Sequence, residues 1–171
     1  MAGKAEVEVI IWDPAGWGAS SFGHVSVVVR EGADAMSYSL APGGCDIRAF
    51  AKYLAKQDFR NGYGLILRLN EPQTASVANY FRHRLACEYS FLGKNPDGTN
   101  NCTTPIQRAL QSAGVQLNGF SIMPRALGIN LWNRSLVGGV RQYMGGAVAG
   151  HLMHPPWVVP SSAYPWAGAG K

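Results

Sequence analysis

Two residues far apart in the chain have the types and settings of a thiol nucleophile site. His24 opens an alternating run, Gly23-His24-Val25-Ser26-Val27-Val28-Val29. Cys102 sits in Gly98-Thr99-Asn100-Asn101-Cys102-Thr103-Thr104-Pro105, at the expected start of a helix. The thiolate is the attacking species, so such a site must hold the thiol below its ordinary pKa of about 8.5. A helix N-terminus contributes unpaired N–H groups and a partial positive charge, and a neighbouring imidazole can take the proton. Pro105 suits a first helical turn, and the same amides could receive the oxyanion of a tetrahedral intermediate. The competing readings are plain: free cysteine is commonly a buried residue, and a lone strand histidine is more often structural than catalytic.

A catalytic imidazole is usually oriented by a third polar group. Ser39 is the geometric candidate, Ser37 the next, and Asp13, just after the first strand, a third; the sequence does not decide among them. Trp17, Ser37, Tyr38, Asn101 and Thr103 are the expected substrate contacts. The remaining histidines are weaker candidates. His83 lies between Arg82 and Arg84 on an expected solvated helix face, and His151 and His154 lack a nearby carboxylate for a metal site. No metal and no cofactor are expected.

The elements that must position this pair are partly legible. Glu6–Trp12 alternates as a strand. His24–Val29 and Ala35–Leu40 read as a hairpin joined by Arg30–Asp34, with Ser39 roughly opposite His24. Ile47, Phe50 and Leu54 have helical spacing, which predicts a helix over Ile47–Gln57 with Asp46 as its N-cap. Tyr63–Leu69 reads as a strand, and Glu71-Pro72 opens a helix to about Glu88. The loop 93–101 is turn-forming. Cys102 leads a helix to about Ala113, ended by Gly114, and Pro124–Leu136 is a further helix. The fold class expected is α+β, an antiparallel sheet packed against the helix that carries the cysteine. Residues 1–145 form the catalytic domain, and 146–171 an irregular tail rich in Gly, Ala and Pro.

The totals bound the partners. A chain of 171 residues, 47% hydrophobic and 15% charged, is a foldable single domain. The net charge of +5 comes from scattered basic residues; a nucleic-acid footprint normally clusters them, so no nucleic acid is expected. No apolar leader and no window of membrane-spanning length are visible. The expectation is a protein made in the cytoplasm, without stable membrane insertion, and exported, if at all, without a signal peptide. Three cysteines, Cys45, Cys87 and Cys102, show no regular spacing, which argues against a disulfide framework and leaves at least one thiol free.

Taken in order, Gly23-His24-Val25-Ser26 on a strand, a hairpin partner ending Tyr38-Ser39-Leu40, and Asn101-Cys102 leading a helix that ends Ala113-Gly114 resemble the permuted branch of the NlpC/P60 papain-like superfamily. The resemblance covers about residues 6–117. It implies Cys102 as nucleophile, His24 as base, and Ser37 or Ser39 as the third polar residue. A serine there departs from the His, Asn or Gln more common in the family, so Asp13 stays open for that role. It also implies a hydrolase of amide bonds in peptidoglycan stem peptides. The alternatives within the superfamily are a lipase or acyltransferase on lipid or protein, and a deamidase acting on a host protein. The segment Asp13–Gly18 through His24 is similar to toxin effectors of type VI secretion. That likeness implies action in a target-cell periplasm and a cognate immunity protein.

Overall fold

The computed structural model describes residues 5–16, 21–95 and 98–158. A seven-stranded sheet organises them, in the order β4-β3-β2-β1-β5-β8-β9 with every pairing antiparallel. The strands are β1 (Glu6–Trp12), β2 (His24–Glu31), β3 (Asp34–Ala41), β4 (Gly44–Ala49), β5 (Gly62–Leu67), β8 (Val137–Met144) and β9 (Ala147–Leu152). A separate ribbon pairs β6 (Ser90–Asn95) with β7 (Gly98–Asn100). The helices are α1 (Phe50–Ala55), α2 (Glu71–His83), α3 (Thr104–Ser112) and α4 (Pro124–Asn133). The fold is thus α+β on an antiparallel sheet.

Strand alternation sorts the sheet into two faces. Val7, Val9, Ile11, Val25, Val27, Tyr38 and Leu65 point to one side and share a core with Val77 and Phe81 of α2, Ile106 and Leu110 of α3, and Leu127 and Leu131 of α4. Ile10, Trp12, Val28 and Tyr143 point to the other side, where Phe50 and Tyr53 of the short α1 cover them, with Leu54 and Ala35 packed alongside. His24 and Ser26 belong to this second, thinly covered face. The same face carries a buried charge cluster: Glu8, fully buried, accepts hydrogen bonds from Tyr143 Oη at 2.7 Å and Arg141 Nη1 at 2.9 Å, and is paired with Arg30. Position 64 must be glycine for this cluster to exist, because a Cβ there would lie 1.8 Å from Glu8 Oε1.

Four expectations need correction. Residues 44–49 form a strand, not the start of a helix, so Asp46 is no N-cap; Ile47 lies on β4 and only Phe50 and Leu54 of that spacing are helical. The hairpin turn is the two-residue Gly32-Ala33 between paired Glu31 and Asp34, so Ser39 faces Ser26 rather than His24. The expected irregular tail begins with β9, paired to β8; residues 159–171 lie outside the described residues. Finally, Cys45 and Cys87 form a disulfide, with Cα atoms 4.9 Å apart, and Cys102 is the free thiol.

The disulfide ties the edge strand β4 to the segment after α2 across a sequence separation of 42. Closing a loop of that size stabilises a chain by about 2–4 kcal/mol through the unfolded state. The Cys45→Ser/Cys87→Ser variant is therefore expected to lose about 2–4 kcal/mol in urea unfolding. A loss under about 0.5 kcal/mol would mean that the surrounding packing already fixes this edge.

Candidate functional site

At the end of the sheet where β1 finishes and β2 begins, the chain builds a small pocket of about 160 Å³. His24, Ser39, Asp46, Tyr53, Lys56, Gln57, Arg60, Tyr89 and Cys102 line it. His24 owes its place to Gly23, whose φ of +88° and closeness to the Trp12 carbonyl (2.6 Å for a would-be Cβ) exclude other residues. The imidazole thus starts a strand pinned by Trp12, which pairs with His24 and donates its Nε1–H to Ser26 Oγ at 2.9 Å.

Cys102 lies in the turn that feeds α3. Asn101 fixes that turn: its Oδ1 accepts the Thr103 N–H at 2.9 Å and its backbone carbonyl accepts the Thr104 N–H at 3.2 Å. Thr103 Oγ1 donates to the Ser121 carbonyl at 2.6 Å. Gln107 exchanges two bonds with Ser121, each 2.7 Å. The Thr103 and Thr104 amides at the start of α3 are thus occupied. The N–H groups that face the Cys102 sulfur are its own and that of Val25.

The electrostatics reverse the expected activation. Burial pushes the Cys102 thiol up to about 11, outweighing the two N–H groups and the Arg60 cation. Burial also lowers His24 to about 3, with Arg60 adding to the drop and Asp46 opposing it. Within the pocket the resting thiol and the resting imidazole are both neutral, not a thiolate–imidazolium ion pair. Alkylation of Cys102 by iodoacetamide should therefore keep accelerating from pH 7 to pH 10. A plateau reached below pH 7 would show a preformed ion pair and overturn this description.

Of the residues singled out in the sequence, the structure brings His24, Cys102 and Ser39 into one pocket. Asp13 is elsewhere, its carboxylate 3.3 Å from Arg125 Nη2. Ser37 is fully buried and does not line the pocket. Tyr38 turns to the opposite face against Phe81, ring centroids 5.4 Å apart. Asn101 and Thr103 are buried struts of the cysteine turn rather than substrate contacts. Trp17 lies outside the described residues. Asp46, Tyr53 and Arg60 were missed. Asp46 pairs with Ser39 across β3–β4, and its alternation with Cys45 and Ile47 was the available signal. Tyr53 and Arg60 arrive from α1 and the loop after it, and no motif marks them. Larger concavities exist, such as one of about 460 Å³ behind α3, but it contains no nucleophile–base pair.

The fold and site define a class, an α+β protein with a Cys–His pocket at the end of an antiparallel sheet. No protein-family model matches the chain, and no curated protein matches it in sequence. Among solved structures, it shares its fold with the type VI secretion system effector TseH. The TM-score is 0.53 at 13% identity, covering 88% of this chain and 100% of that one.

Proposed function

We propose that this protein is a cysteine hydrolase that cleaves an amide bond in peptidoglycan stem peptides and serves as a secreted antibacterial effector. The observation that carries the reading is the meeting of His24 and Cys102, from distant parts of the chain, in one pocket. The likeness of fold to TseH supports the effector part. The order of histidine strand before cysteine helix supports a permuted papain-like arrangement. A disulfide suits action in an oxidising compartment such as the periplasm, where a cognate immunity protein would protect the producer by covering the pocket.

In the proposed reaction His24 takes the thiol proton as the Cys102 sulfur bonds to the carbonyl carbon, because the neutral pair requires transfer and attack together. The Cys102 N–H is the candidate oxyanion donor. The carbon–nitrogen bond breaks, the amine leaves with the proton from His24, and a thioester remains. His24 then takes a proton from water, the hydroxide adds to the thioester carbon, and the carbon–sulfur bond breaks with return of the proton to sulfur. The charged and amide groups of Asp46, Lys56, Gln57 and Arg60 around so small a pocket favour a polar peptide over a long acyl chain.

Purified sacculi digested with wild-type protein and with Cys102→Ala, and read by mass spectrometry, test the reading. New muropeptides from wild type alone are expected, and their masses name the bond. Intact sacculi from a wild-type protein with a reactive thiol would remove the wall as substrate.

A further inference from the structure

We propose that Arg60 is the substrate-recognition residue of the pocket, binding a carboxylate carried beside the amide that Cys102 attacks. The inference rests on the hydrolase reading and narrows its substrate class to acidic peptides.

Arg60 sits half-buried in the loop between α1 and β5, and it lines the same pocket as His24 and Cys102. Its Nη1 is buried without a hydrogen-bond partner. Buried polar groups are almost always paired, and an exception calls for a reason. A guanidinium drawn out of water needs an anion most of all. None of the described carboxylates supplies one. Asp46, the acid that shares the pocket, is committed on both oxygens, to Arg48 through Oδ1 and to Lys56 through Oδ2 at 2.9 Å.

The guanidinium is also held in place. Its Nε donates to Gln57 Oε1 at 2.7 Å, and its carbon lies 5.7 Å from the Trp12 ring centroid and 5.0 Å from that of Phe59. Ring contact and the Nε bond fix the plane of the fork and leave Nη1 unpaired. A fixed guanidinium edge matches the two oxygens of a carboxylate, a geometry that a lysine cannot reproduce. The cation acts on both reacting groups, depressing the proton affinity of His24 and Cys102, which places it close to the amide they would attack. A carboxylate seated there would cancel that effect on His24 and leave a stronger base once substrate is bound.

The test uses the full oxidised chain and two probes, N-acetyl-L-alanyl-D-glutamic acid and its fully amidated twin. Each is titrated against the rate of Cys102 alkylation by iodoacetamide. In wild type the acid is expected to protect Cys102 at a concentration about tenfold below that of the amide, as a charge-assisted pair implies. Arg60→Gln should abolish the difference, and Arg60→Lys should restore only part of it. Equal protection by acid and amide in wild type, or protection by neither, overturns the proposal whether or not the variants fold. The sacculus digestion separates the two ideas. Intact sacculi with selective protection by the acid would retain Arg60 as a carboxylate site and remove the wall substrate. Digested sacculi without that selectivity would do the reverse.

Discussion

His24→Gln is expected to lower turnover by about a thousandfold or more while leaving a folded protein that withstands acid better than wild type. The loss follows from the neutral resting pair. With Cys102 raised to about 11, almost no thiolate exists near neutral pH, so the sulfur cannot attack unless a base removes its proton during the step. Glutamine keeps the approximate size of the side chain and cannot do this. An enzyme with a preformed thiolate would lose less, so the size of the effect itself reports the mechanism. The gain in acid follows from linkage. His24 holds its neutral form in the fold down to about pH 3, whereas in the unfolded chain it protonates near 6.5. Between those values the unfolded state binds the extra proton, so the stabilisation is complete above pH 6.5 and drains away as pH falls toward 3. The slope is about 1.4 kcal/mol per pH unit. Urea titrations at pH 7, 5 and 4 should show wild type losing stability faster than His24→Gln, with the difference between them following this slope. Parallel losses in the two proteins would mean that His24 is more open to water than its setting implies.

Glu8→Ala is expected to cost about 3–5 kcal/mol, the usual penalty for removing one member of a buried charge cluster. Glu8 receives Arg30, Arg141 and the Tyr143 hydroxyl. Glu6 accepts from Arg141 Nη1 at 2.8 Å but stands nearer the surface. Burial works against the charge on Arg141, yet the hydrogen bonds and attraction of Glu6 and Glu8 outweigh it and hold its pKa above the ordinary arginine value. Without Glu8, two guanidiniums would share the half-buried Glu6 and the Tyr143 hydroxyl would lose its acceptor. Glu8→Gln should recover part of the loss by keeping volume and one acceptor. A change below about 1 kcal/mol for Glu8→Ala in denaturant unfolding would show that Glu6 alone holds both arginines. The cluster shares a sheet face with His24 but lies toward the other end of β1, so activity per folded molecule should hold in Glu8→Gln.

The parts of this fold legible in the sequence were those written in local periodicity. Alternation located β1, β2 and β3, and helical stripes located α2, α3 and α4. The sequence also pointed to His24 and Cys102, because glycine before a strand and proline after a helix start are local signals. The failures arose where two local patterns coincide or where distance decides. Ile47, Phe50 and Leu54 satisfy helical spacing although a strand ends and a helix begins between them. The glycine-rich run after Val137 hides the hairpin β8–β9 because its side chains carry little pattern. A turn of two residues rather than five moved Ser39 from His24 to Ser26. The pairing of Cys45 with Cys87, and the arrival of Tyr53 and Arg60 beside the reacting pair, depend on how the folded chain returns on itself.

The masked thiol bears on survival as well as on catalysis. Peroxides, like alkylating agents, react with thiolate. With burial pushing its thiol up to about 11, Cys102 is almost wholly protonated at pH 7. Under the proposed function, an effector carried through an oxidising space would keep this thiol largely unreacted until a substrate is seated and His24 draws the proton away, while the same surroundings preserve the Cys45–Cys87 bridge.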